Sequence, residues 1–269
     1  MNKANYPIGI FDSGIGGLTV ANAIKNVLPN ESLIYFGDTT HFPYGEKSPE
    51  AIKNYSIKIS DFLLEQHCKV IVIACNTASS IAYETVKEYV GSRAIVIDVI
   101  NPVVNKVASI FNDLKIGVIA TKGTIRSDVY SKKIKEKNSS LEVASLATPL
   151  LAPMIEEGFF NNKISRTIIN SYLSHPKIKK IDALILACTH YPLIRLEIEE
   201  FYKNKVNIID SAEIVAGFVR NKLEETHLFN LKKKHKHRFY ISDFTTSFEQ
   251  NTKLFFKEKI LLEHYPLWK

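Results

Sequence analysis

A six-residue pattern occurs twice in the 269-residue chain: Val72-Ile-Ala-Cys-Asn-Thr77 and Ile185-Leu-Ala-Cys-Thr-His190, at an offset of 188 minus 75, or 113. In each copy an apolar run ends on a cysteine and gives way at once to hydroxyl, amide or imidazole side chains. A weaker echo, Ile8-Gly-Ile-Phe-Asp-Ser-Gly14 against Ile116-Gly-Val-Ile-Ala-Thr-Lys-Gly123, falls at 116 minus 8, or 108. Two echoes at nearly one spacing indicate two similar halves in succession, and two copies are too few for a solenoid. A chain of this length can bury one large core or two modest ones.

Short β-branched runs alternate with longer amphipathic stretches. Strands are expected at Ile8 to Phe11, Ser32 to Phe36, Val70 to Ala74, Ala94 to Ile97, Lys115 to Ala120, Leu141 to Leu146, Ala183 to Ala187 and Val206 to Ile209. Helical periodicity marks Leu18 to Leu28, Pro49 to Gln66, Ala78 to Val90 and Ala212 to Leu223. This order specifies an α/β fold of two similar, doubly wound, mostly parallel-sheet domains related by pseudo-twofold symmetry. No segment reads as a long Pro, Gly or Ser linker, so the halves are expected to pack closely with a site between them. The segment after Asp210 is left over and most simply returns to the first half. The expected domains are therefore 1–97 with 210–269, and 98–209.

Composition excludes several classes. The chain is 45% hydrophobic, 10% aromatic and 23% charged, which is globular rather than disordered. Runs such as Val70 to Cys75 are too short to cross a bilayer, and Met1 to Gly9 lacks the pattern of a secretory signal, so a cytoplasmic protein without a membrane partner is expected. Three cysteines do not make a disulfide framework and suit a reducing compartment. Part of the net charge of +7 lies in Lys232-Lys-Lys-His-Lys-His-Arg238. Without interleaved aromatics, this run reads as solvated surface in preference to a nucleic-acid contact.

Open α/β sheets bind ligands beyond the carboxyl ends of their strands, and the polar clusters fall there. Asp12 to Gly17 follows the first strand, Gly37 to Gly45 the second and Cys75 to Thr77 the third, while Thr121 to Thr124 and Cys188 to His190 take corresponding places in the second half. A free cysteine at a strand end is commonly just a small buried hydrophobe, and Cys68, which has no echo, is assigned to the core. The duplicated pair reads differently. Under a pseudo-twofold, Cys75 and Cys188 face each other across the cleft, one removing an α-proton from one face of a small molecule and the other returning a proton to the opposite face. A helix beginning at each cysteine is expected to lower its thiol pKa. Asp12 and His190 are neighbours able to tune the thiols, although each could instead cap a helix. Glu156 reads by pattern as a polar residue on a short helix. Gly14, Gly16 and Gly17 do not form a nucleotide fingerprint, no arginine follows Cys75 as a cysteine phosphatase loop needs (Ile81 and Ala82 stand there), and no zinc-ligand spacing occurs.

Four blocks carry a resemblance: Phe11-Asp-Ser-Gly-Ile-Gly-Gly-Leu18, Pro43-Tyr-Gly45, Ala74-Cys-Asn-Thr-Ala78 and Ala187-Cys-Thr-His-Tyr-Pro-Leu193, with Asp210-Ser-Ala212 near the end. They resemble the motifs of the glutamate racemases, in the same order, over about Pro7 to Ser211. The resemblance implies a two-domain enzyme that interconverts L- and D-glutamate without pyridoxal phosphate, metal or other cofactor, supplying D-glutamate for peptidoglycan, and a homodimer. It implies that Cys75 deprotonates D-glutamate and Cys188 L-glutamate, with Asp12 assisting Cys75, and His190 and Glu156 assisting Cys188. Ser13, Tyr44, Gly45, Asn76, Thr77 and Thr189 match substrate-holding positions, joined by Asp12 and His190 and, by placement, Thr121 and Thr124. Three rivals stand beside it. One is a two-thiol racemase for aspartate or another amino acid, and another is a cysteine amidase or hydrolase with His190 as base. The third is a regulatory protein that touches DNA gyrase through its basic run.

Overall fold

A computed structural model describes residues 3–230, 236–244 and 246–269, so most of the basic run, 232–235, lies outside the described residues. Among those residues ten strands form: β1 (Ile8–Asp12), β2 (Leu33–Gly37), β3 (Val70–Ile73), β4 (Ile95–Asp98), β5 (Lys115–Ala120), β6 (Glu142–Ala147), β7 (Ala183–Ala187), β8 (Asn207–Asp210), β9 (Arg238–Ile241) and β10 (Leu262–His264). They make a six-stranded sheet in the order β10-β9-β2-β1-β3-β4 and a four-stranded sheet in the order β6-β5-β7-β8. Every pairing is parallel. Without β9 and β10 the two sheets have one strand order, the second, first, third and fourth strands of each half, which is the structural form of the duplication.

Strands β9 and β10 were not expected from the sequence. Each is very short, with Phe239, Tyr240 and Ile241 the only apolar run in β9, and neither shows alternation. Pairing with β2 builds them. The chain after Asp210 thus returns to the first sheet.

Period-two alternation sends the first sheet's side chains to opposite faces. Ile8, Ile10, Val70 and Val72 join the core that continues into the second sheet, whereas Phe11, Phe36, Ile71 and Ile73 join a separate outer core. Helices Pro49–Glu65 and Asn76–Val90 cover the outer face through Ile52, Ile59, Phe62, Ala78, Ala82 and Val86. Helices Leu18–Val27, Ile100–Ile110 and Ser211–Glu225 supply Leu18, Ile24, Val103, Val107, Val215 and Val219 to the shared core. The continuous core between the sheets fixes how their strand ends oppose. No helix among the described residues is long and apolar enough to cross a membrane.

Candidate active site

The connections after β1 and β3 run to opposite faces of the first sheet, which opens a crevice at their carboxyl ends. Ser13 and Cys75 line it, and β5 and β7 of the second sheet deliver Thr121 and Cys188 in the same way. The two crevices meet in one cavity lined by Ser13, Tyr44, Gly45, Cys75, Asn76, Thr77, Thr121, Cys188, Thr189 and His190, together with Phe42, Pro43 and Ala152. Its free volume is about 20 Å³, room for about one water molecule. Asp12, Thr124 and Glu156 stand behind the lining, all buried. A larger concavity of about 780 Å³ opens at the opposite ends of β5, β6 and β7, among Lys115, Glu142 and Asp182, and carries none of these residues.

Cys75 is the N-cap of helix Asn76–Val90, and its Sγ accepts from the Ala78 N–H at 3.4 Å. Ser13 Oγ lies 3.7 Å away. The helix terminus does not make this thiol acidic, contrary to expectation. Burial, joined by the Asp12 charge, pushes the Cys75 pKa up to about 12, against the smaller opposing effects of Ala78 N–H and Ser13. At Cys188 the helical expectation also needs correction, because a 3-10 turn, Tyr191–Ile194, precedes helix Arg195–Phe201.

His190 Nδ1 lies 3.7 Å from Cys188 Sγ, and Nε2 is paired with Glu156 Oε2. It makes no side-chain cap. Burial alone lowers the His190 pKa; the Glu156 carboxylate and the Cys188 sulfur outweigh it and leave the value well above the ordinary one. Glu156 Oε1 accepts from the Ile15 N–H at 3.2 Å, so this carboxylate ties His190 to the loop after β1. Asp12 accepts from the Gly14 N–H at 3.1 Å and lies 3.4 Å from Thr189 Oγ1, which donates to it. Burial raises the Asp12 pKa, His190 opposes and Glu156 adds to it.

Around Cys75 the neighbours are hydroxyls. Thr77 Oγ1 lies 2.8 Å from Thr121 Oγ1 and 3.3 Å from Thr124 Oγ1, while Thr121 caps the helix Lys122–Ser127, a contribution of about 1 kcal/mol. Asn76 Oδ1 accepts from Tyr130 Oη at 2.7 Å, and Asn76 Nδ2 is buried without a partner. A buried donor left unmatched is costly, so this N–H is suited to an acceptor on a ligand. Tyr44 brings its turn to the cavity, but its hydroxyl donates to Asp38 Oδ2 at 2.7 Å, so the turn faces the cavity through its main chain and Gly45. Cys68 is buried in the outer core.

Tyr130 and Asp38 escaped the sequence reading. Tyr130 touches Asn76 across 54 positions of sequence, a contact that no local pattern announces. Asp38 belonged to the noted polar cluster after β2, and its burial was the missing information.

A family model described as Asp/Glu/Hydantoin racemase matches residues 18–219. The chain belongs to this family. A glutamate racemase of Geobacter metallireducens is 41% identical over 242 residues, covering 90% of this chain and 89% of the relative. The crystal structure of glutamate racemase from Francisella tularensis, solved with D-glutamate, superposes with a TM-score of 0.92 at 40% identity, covering 98% and 99% of the two chains. An aspartate racemase of Picrophilus torridus aligns at 19% identity and a TM-score of 0.54, a likeness of fold alone.

Proposed function

We propose that this chain is a glutamate racemase that inverts the α-carbon with two thiols, Cys75 and Cys188. The observation that carries the reading is that both sulfurs line one cavity, from corresponding strand ends of two sheets with the same strand order. The substrate class rests on relatives near 40% identity over most of the chain that are glutamate racemases by name, whereas likeness to the aspartate enzyme is confined to the fold.

In the proposed reaction the Cys75 thiolate takes the α-proton of D-glutamate, and the electron pair of the broken C–H bond stays on the α-carbon. The Cys188 thiol then delivers its proton to the opposite face, giving L-glutamate, a Cys75 thiol and a Cys188 thiolate. The reverse direction exchanges the roles. Asp12 tunes Cys75, and His190 with Glu156 tunes Cys188. The unmatched Asn76 N–H, the Thr77, Thr121, Thr124 and Thr189 hydroxyls, Ser13 and the Tyr44–Gly45 main chain hold the substrate's polar groups. An α-proton is far less acidic than a thiol, so the carbanion needs fixed donors in a site closed to water. The small free volume supports such a closed form, and opening of the site would admit the substrate. The reading takes those halves as 1–97 with 210–269, and 98–209, supported by the two sheets. It carries with it a cytoplasmic homodimer supplying D-glutamate to peptidoglycan.

The test is incubation with L-glutamate in heavy water without added cofactor, following optical rotation and α-deuterium together. Rotation should vanish while deuterium enters the D-product, and Cys75→Ala or Cys188→Ala should each abolish inversion. A hydrolase instead needs one essential cysteine and forms an acyl-enzyme, so full activity of Cys188→Ala would overturn the two-thiol mechanism.

A further inference from the structure

Asp38, the residue after β2, is fully buried and meets donors from three separate parts of the chain. Tyr44 Oη donates to Oδ2 at 2.7 Å and His41 Nδ1 lies 2.9 Å from the same oxygen. On Oδ1, Ser242 Oγ donates at 2.9 Å and Trp268 Nε1 at 2.8 Å. Ser242 follows β9, and Trp268 lies just past β10, in the last two residues of the chain. Its indole meets His41 and Tyr55 edge-on at 4.6 and 5.3 Å, and Lys58 Nζ stands 5.1 Å from the ring centre. The carboxylate therefore joins the carboxyl-terminal segment to the Tyr44 phenol, and Tyr44 belongs to the turn that lines the cavity. That turn has little slack, because a Cβ added at Gly45 would stand 2.8 Å from Thr121 Cβ.

We propose that Trp268 is a positioning residue for substrate binding: its indole N–H orients the Asp38 carboxylate, which holds Tyr44 Oη and so sets the Pro43–Tyr44–Gly45 turn against the substrate. The proposal rests on the reading that this turn holds glutamate. Trp268 touches no reacting atom, so its loss weakens ground state and transition state alike, which raises KM and spares kcat.

Trp268→Phe keeps an aromatic ring beside His41 and Tyr55 and removes the N–H. Initial rates with both enantiomers should show KM raised about fivefold, the scale of one ordinary net hydrogen bond, with kcat within about twofold. Tyr44→Phe cuts the other end and should raise KM in the same way. The double variant should be little worse than the worse single one, because both act through Asp38. A merely structural tryptophan lowers the thermal midpoint and leaves KM unchanged, which overturns the proposal. So does a double variant whose KM effects multiply. If Tyr44→Phe raises KM and Trp268→Phe does not, the strap fails and the substrate reading of the turn survives. Absence of glutamate racemisation by the unmodified protein sinks the functional reading itself, and this proposal with it.

Discussion

Gly16 lies where the loop after β1 meets His190, and its replacement by alanine measures how closely the two halves must approach. A Cβ at this position would stand 2.4 Å from His190 Cε1, 2.5 Å from His190 Nδ1 and 2.6 Å from Thr189 Oγ1. Non-bonded carbons settle about 3.5–4.0 Å apart, so Gly16→Ala demands a displacement of about 1 Å. Backbone strain is not the obstacle, since Gly16 does not occupy the left-handed region. The imidazole cannot yield freely, because Glu156 holds Nε2 while Phe42 and Phe255 flank the ring at 5.9 and 5.5 Å. Nor can the loop, which Asp12 holds at the Gly14 N–H and Tyr35 Oη holds at the Gly14 carbonyl, 2.7 Å away. A misplacement of about 1 Å costs on the order of 10²-fold in rate, whereas overpacking costs about 1–3 kcal/mol of stability. Polarimetric initial rates should therefore show kcat/KM about 100-fold lower in Gly16→Ala. The fall must be equal for L- and D-glutamate, because enantiomers have equal free energy and the two kcat/KM values share one equilibrium constant of unity. Retention of kcat/KM within about threefold, with an unchanged thermal midpoint, would refute the claim that closure at His190 is needed.

Cys75, with its pKa pushed up to about 12 by burial and Asp12, should alkylate with iodoacetamide about tenfold faster per pH unit between about pH 7 and 9. Asp12→Asn should speed this at fixed pH, and mass spectrometry that finds a pH-independent rate would show an already ionised sulfur. For His190, whose pKa is raised well above 6.5, the sign is the reverse of a depressed carboxylate. Its pairing stabilises the folded state fully below the unfolded value of about 6.5 and fades as pH rises through the folded one. The stability gap between the unmodified protein and Glu156→Gln, read from urea unfolding, should accordingly widen toward pH 5 and narrow toward alkaline pH. A constant gap would contradict this.

The eight strands expected from the sequence agree with β1 to β8 to within about a residue at each end, because buried parallel strands read as continuous apolar runs. The same reasoning misses β9 and β10, whose identity as strands comes from β2 beside them. It places Cys75, Cys188 and the loops beside them at strand ends, and the structure brings them to one cavity, since parallel order delivers strand ends to a common edge. It misjudges the Cys75 pKa because a helix terminus is local and visible in sequence, while burial and the approach of Asp12 belong to the folded molecule. Glu156 shows the limit most clearly. Its pattern is that of a surface residue, yet its carboxylate joins His190 to the Ile15 amide over 141 positions of sequence. Trp268 and Asp38 lie 230 positions apart and are likewise joined only by the fold.

Duplication places the two thiols alike, and divergence of their neighbours makes them chemically different. In each half the residue two past the cysteine meets the loop after the other half's first strand: Thr77 meets Thr121, and His190 meets the Gly16 loop and feels the Asp12 charge. One junction is hydroxyl against hydroxyl, while the other joins an imidazole and two carboxylates. Proton transfer to opposite faces needs only the symmetry. In the proposed reaction, the group beside the Cys188 sulfur is His190, which Glu156 holds. On the Cys75 side the carboxyl that acts on the sulfur is Asp12, whose own pKa burial raises. In the proposed reaction the two halves thus surround their sulfurs differently, with an imidazole–carboxylate pair in one and a single buried carboxyl in the other.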